Sequence, residues 1–328
     1  GAAACTTWAR SQAFQSSRRS SVSREPRPSR KLGCETTTSS NACGADGATG
    51  LRWRRGTDSG LVQDFRGHPD WQVLAPTFDG RYLAYRVDHT LDNFADFSLY
   101  VWDSTTKAAP VEVAHAERDR KGRLMATPFV DPVVHDGWVY WSQTRDQDPG
   151  RTVLSAYRVS DGHREVLRRG YGQVPVRWGR FLLWPDAPKS GTATSLQAFD
   201  LDTRRPVPTP TALADVRGPS FLAGDARTLA WVTSDETELL VYREGWSAPR
   251  TLVEGADAAE FLDVADDVVV FQQSDAMYAA DLRSWSSAKV TPEYGSISAD
   301  GGPFVLVGYR PESREAASKQ VTLDLRAV

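Results

Sequence analysis

Apolar and polar residues alternate in short runs through most of this chain, and the clearest run is Trp71 to Thr106. It predicts three strands, Gln72–Phe78, Arg81–Val87 and Phe97–Asp103. Asp79-Gly80 lies between the first two, and a polar loop precedes the third. Asp-Gly between two β-rich runs favours positive φ at both turn centres, a strong hairpin signal. Weaker copies follow: HDGWVYWSQ (135–143), RWGRFLLWP (177–185), DARTLAWVT (225–233), ADDVVVFQQ (265–273) and ADGGPFVLVGY (299–309). Each precedes a third strand, as in LSAYRV (154–159) and LLVYRE (239–244), and most add a polar turn and a fourth. Four-stranded units of about 40–50 residues are the signature of propeller blades.

The pattern predicts an all-β protein, a six-bladed β-propeller of four-stranded antiparallel blades over residues 48–328. The last unit runs out of chain after its third strand. LRWRRGTDSGLVQDFRG (51–67) matches the third-and-fourth-strand hairpin at 154–170. Gly60–Arg66 is therefore the expected N-terminal strand that closes the ring and covers the last blade's edge. A seventh blade is expected only if the first 47 residues supply two more strands.

Residues 1–47 are rich in Ser, Thr, Arg and Ala, carry SSRRSSVSREPRPSR, and lack apolar periodicity. They read as a disordered Ser/Arg-rich tail. All three cysteines, Cys5, Cys34 and Cys43, lie there. Ala2-Ala3-Ala4-Cys5 resembles the end of a lipobox, and Cys34 with Cys43 would close a small disulfide loop. A cysteine-free body is compatible with an oxidising compartment.

FDGRYLAY followed by SLYVWD, a turn, a short apolar strand and a strand ending in aromatic–Asp, resembles the TolB-type six-bladed propeller repeat over roughly residues 60–326. That resemblance implies an extracytoplasmic bacterial protein (periplasmic, secreted or lipid-anchored) that binds partners or ligands. It brings no catalytic residues with it. The Ser-Pro usual before the turn is replaced by Pro76-Thr77-Phe78.

Charge and motifs narrow the function further. A net charge of −3 argues against a nucleic-acid partner. No apolar run approaches the ~20 residues that span a bilayer as a transmembrane segment. G-x-S-x-G, H-E-x-x-H, Walker and G-x-G-x-x-G motifs are all missing. The five histidines have no helical metal spacing.

In a propeller, the loops between second and third strands share one face with the loops entering each blade. Asp88, Asp92, Asp96, Asp146, Asp148, Asp186, Asp235 and Asp275 lie in or beside those loops. Converging carboxylates suit calcium, with Asp92 and Asp146 as ligands. Trp71, Asp88, His89, Asp92, Asp146, Asp148 and Tyr171 are the expected ligand-binding set, for a protein partner or a glycan at the channel mouth. The bland reading of the same aspartates is turn capping. Trp102, Trp138, Trp141, Trp184 and Trp231 are expected to fill wedges between blades. Trp246 and Trp285 are expected at the outer rim. The resulting expectation is a non-catalytic binding scaffold. Its rival is a channel-mouth enzyme or lectin acting on a glycan, with two carboxylates as acid and base.

Overall fold

A computed structural model gives the fold. It describes residues 33–38, 48–55, 58–68, 71–90, 95–125, 130–144, 151–172, 174–187, 194–255, 261–273, 276–291, 295–299, 304–309 and 319–324. Among them there is no α-helix. Every named strand pairing is antiparallel.

An N-terminal sheet contains β1 (Gly33–Thr38), β2 (Ala48–Arg55) and β3 (Asp58–Asp64). Unit one follows with β4 (Gln72–Phe78), β5 (Tyr82–Asp88), β6 (Phe97–Asp103) and β7 (Val111–His115). Unit two comprises β8 (Val133–His135), β9 (Trp138–Thr144), β10 (Thr152–Arg158) and β11 (Arg164–Gly172). Unit three comprises β12 (Val176–Trp178), β13 (Phe181–Ala187), β14 (Ser195–Asp200) and β15 (Arg205–Val207). Two residue pairs, Tyr171 with Ala187 and Gly172 with Asp186, join units two and three into one hydrogen-bonded sheet. Unit four holds β16 (Phe221–Gly224), β17 (Thr228–Val232), β18 (Glu238–Arg243) and β19 (Arg250–Glu254). Unit five holds β20 (Phe261–Ala265), β21 (Val268–Gln273), β22 (Ala276–Asp281) and β23 (Ser286–Thr291). Unit six has β24 (Gly295–Ala299), β25 (Phe304–Tyr309) and β26 (Lys319–Asp324).

The expected hairpin at 51–67 is present as β2–β3. Its described sheet partner is β1, while β26 pairs with β25. The hairpin thus belongs to a sheet of its own and not to the described part of unit six. Strand β1 also falls inside the segment expected to be an unstructured tail. Its GCETTT carries β-favouring threonines but no apolar alternation, which is why the pattern did not reveal it. Cys5 and Cys43 lie outside the described residues.

From the N-terminal sheet to unit five, each sheet packs face to face on the next through an apolar layer. Leu51, Trp53, Val62 and Phe65 meet Leu83, Tyr85, Val87 and Trp102. Ala84, Leu99 and Val101 then meet Val134, Val139 and Trp141. Tyr140 and Leu154 meet Leu182, Trp184 and Phe199, and Leu183 and Leu196 meet Leu229 and Trp231. Finally, Ala230 and Val241 meet Val269 and Phe271. Second strands are covered on both faces, so they read as nearly continuous apolar runs, with alternate residues going to opposite neighbours. Trp102, Trp141, Trp184 and Trp231 all sit in these layers, buried as expected. Stacked sheets of this kind form a propeller-like all-β fold.

Candidate functional site

The two ends of the stacked strands differ in chemistry. One end carries the short hairpin turns. There Asp79 accepts hydrogen bonds from the N–H groups of Arg81 and Tyr82 at 3.0 and 2.8 Å. At Asp136-Gly137 both residues have positive φ, as the Asp-Gly rule requires; at Asp79-Gly80 only Gly80 does, and the Asp79 carboxylate takes over the turn. These turns also reach the next unit. Gly137 N–H donates to Asp79, Gly179 N–H donates to the Asp225 carbonyl, and Asp266 N–H donates to the Asp225 carboxylate.

The other end carries the loops between second and third strands. Gln72 pairs with Asp88, so each first strand begins where the second ends, and the segments entering the units share this end. Here the buried positions turn polar. Arg86, Asp88, Ser98, Ser142, Gln143, Thr144, Thr152, Asp186 and Gln272 are all buried at the last residues of second strands or the first of third strands. They continue the phase of the apolar layers. Arg86 and Asp88 follow Tyr82 and Ala84 on the side facing unit two, and Asp186 follows Leu182 and Trp184 on the side facing unit two.

Arg86 Nε lies 2.8 Å from Asp88 Oδ1, with the two side chains 2% and 0% exposed. Across the interface, Arg86 Nη1 is 3.8 Å from Asp131, a half-exposed residue on the segment entering unit two. Burial pushes the Asp88 carboxyl up to about 6; Arg86 opposes that shift, and the charges of Asp131 and Asp96 add to it. Beside it, Trp141 Nε1 donates to Gln143 Oε1 at 2.7 Å, and Gln143 Nε2 donates to the His115 carbonyl of unit one. One interface on, the half-exposed Arg168 grips buried Asp186 through Nε and Nη2, at 3.0 and 2.7 Å from Oδ2.

The expected ligand set divides accordingly. Trp71, Asp88 and His89 come together beside unit one, whereas Tyr171 sits at the join of units two and three. Trp71 is not an open platform for a sugar. His68 stacks on it at 3.9 Å, His89 lies 4.7 Å away, and Phe65 meets it edge-on. His89 Nδ1 is 3.2 Å from Asp96 Oδ1. Asp88 is enclosed and ion-paired with Arg86, which removes it from any open cation site. Asp92, Asp146, Asp148 and Asp275 lie outside the described residues, so the proposed calcium pair Asp92 and Asp146 falls there too. Among the described residues no group of three or more His, Cys, Asp or Glu is arranged to hold a metal. Asp235 caps its own turn through Thr233 and Thr237.

Attention to loop aspartates missed Arg86, Ser142 and Arg168, the last being the cation that holds Asp186. The signal that would have found Arg86 and Ser142 is a polar residue in phase with buried strand positions.

No family model matches the chain, and no curated protein matches it either. Among solved structures, one from work on two prolyl endopeptidases superposes with a TM-score of 0.56 at 14% identity. The match covers 86% of this chain and 44% of that one, so this chain spans less than half of that protein's length. A chain of a nidogen/laminin complex gives a TM-score of 0.45 at 12% identity, covering 74% of this chain and 90% of that one. The first of these likenesses supports the propeller-like fold and nothing finer.

Proposed function

We propose that the chain is an extracytoplasmic propeller of TolB-like type that serves as a binding module and engages its ligand or partner at the loop-bearing end. The observation that carries this reading is the buried polar set at that end. Burying Arg86, Asp88 and Asp186 is costly for folding, and apolar residues in the same phase would pack with less penalty. We take polar residues kept against that cost as the frame that positions the loops of a binding end, since side chains this buried do not themselves touch a ligand. The alternative, catalysis by paired carboxylates, has one point in its favour, the raised Asp88. Burial is the main cause of that rise, and a side chain with no exposed surface does not meet a substrate. Binding is therefore the better reading. We further propose that the N-terminal sheet joins the six TolB-like units in a ring of seven, one blade more than the six-bladed TolB type, because each packs on its successor in chain order.

The test is to probe wild type, Trp71→Ala/His89→Ala and Trp285→Ala on a glycan array and by affinity capture. Binding lost in the loop-end variant and kept in the turn-end variant is expected. Binding that survives at the loop end and vanishes with Trp285 would place the site at the opposite end.

A further inference from the structure

At the loop-bearing end, the interface between units two and three is not filled. Ser142, Thr152, Leu154, Arg168, Gly170, Trp184 and Asp186 line a cavity of about 10 Å³, room for one water-sized group. Two of its lining side chains carry polar atoms that are buried and have no hydrogen-bond partner: Trp184 Nε1 and Asp186 Oδ1. Those side chains belong to residues only 7% and 6% exposed. The other carboxylate oxygen, Oδ2, is the one that Arg168 holds. Gly170 flanks the unpartnered oxygen, since a Cβ added there would stand 2.8 Å from Asp186 Oδ1.

This chemistry selects the occupant. Trp184 Nε1 can only donate and an ionised Asp186 can only accept, so the guest must both accept and donate. Arg168 already neutralises Asp186, so a cation would face the guanidinium and an anion the carboxylate. A neutral hydroxyl oxygen satisfies both orphaned atoms without adding charge, and the volume admits a single one. Leaving both buried atoms unsatisfied in this partly open cavity would forfeit a hydrogen bond at each.

We propose that this cavity is a binding site for one neutral hydroxyl oxygen, supplied by a resident water or by a hydroxyl of a small polyol. The polyol source rests on the loop-bearing end being the binding end; the water source does not.

The experiment follows the indole N–H signals of protein labelled with ¹⁵N at its eleven tryptophans, with Trp184→Phe identifying the Trp184 resonance. In wild type, a cross-peak from the Trp184 indole proton to a long-lived water is expected. Titration with glycerol distinguishes the sources. A saturable shift of that one resonance with loss of the water cross-peak assigns the site to a polyol, and a cross-peak indifferent to glycerol assigns it to water. Gly170→Ala, or Ser142→Thr if the first variant fails to fold, adds a methyl group to the cavity lining and should abolish either signal. The proposal is overturned if wild type shows neither signal, if the signals persist in the filled variants, or if acetate or methylammonium produces the saturable shift. A silent Trp184 alongside binding that still depends on Trp71 and His89 would retire this cavity and leave the binding reading intact.

Discussion

Asp103 and Asp88 end neighbouring strands of the same sheet, yet their surroundings drive them in opposite directions. Asp103, at the turn end, is held far below the usual carboxylate range. Arg81 is the main cause, and Thr105 assists. Asp88, at the loop end, is raised by burial to about 6. At the turn end, aspartates cap local N–H groups and pair with exposed arginines, as at Asp103, Asp161 and Asp281. At the loop end, charges lie inside the layers between units. The first arrangement helps to build the fold; the second is one that folding alone does not call for.

The largest expected effect breaks the loop end. Asp88→Ala removes the counter-ion nearest to buried Arg86, which should cost about 3–5 kcal/mol in urea unfolding. Asp103→Ala, whose partner Arg81 is half-exposed, should cost about 1 kcal/mol, screening by solvent included. Equal costs would erase the distinction between the ends.

The pH dependence comes next. The folded pKa of Asp88 lies above its unfolded value, so the folded state binds the proton more tightly. The contribution of Asp88 to stability, read as the difference between wild type and Asp88→Asn, should therefore fall as pH rises from about 4 through about 6, by up to about 3 kcal/mol. Asp103 has the reverse sign: its contribution is present above pH about 4 and is lost as pH falls further toward its depressed folded value. Chemical denaturation at a series of pH values reads both.

A smaller effect is expected at the turns. Asp225→Ala removes the acceptor for the N–H groups of Arg227, Thr228 and Asp266, the last in the next unit. A loss of about 1–3 kcal/mol should follow, measured by the shift in urea midpoint. The smallest is Arg81→Ala, which should barely move the midpoint and should lose even that effect at high salt.

The turn end was the legible one. Asp-Gly dipeptides, strands ending in aromatic–Asp and the tryptophan wedges are local patterns, and Phe97–Asp103 is the strand that its residues predict. Strand β1 was hidden because a Ser/Thr-rich segment gives no alternation to read. The loop end was hidden for a different reason. Aspartates in loops attract attention, but the structure places the buried polar residues one step inside, at Arg86, Ser142 and Asp186. Only the phase of the strand shows that these side chains point into a packed layer, and that phase is clear once the neighbouring units are in place. The cover over Trp71 is likewise invisible in the sequence, where nothing shows His68 lying across it.

The most direct test replaces the buried pair at once, with Arg86→Met/Asp88→Leu. If the charges are kept for binding, the double variant should be as stable as wild type or more so, because apolar residues of similar size avoid the desolvation cost. It should also lose the glycan or protein captured by wild type. A variant that unfolds more easily while retaining that binding would show that the pair supports the fold and that the loop-bearing end is not the site.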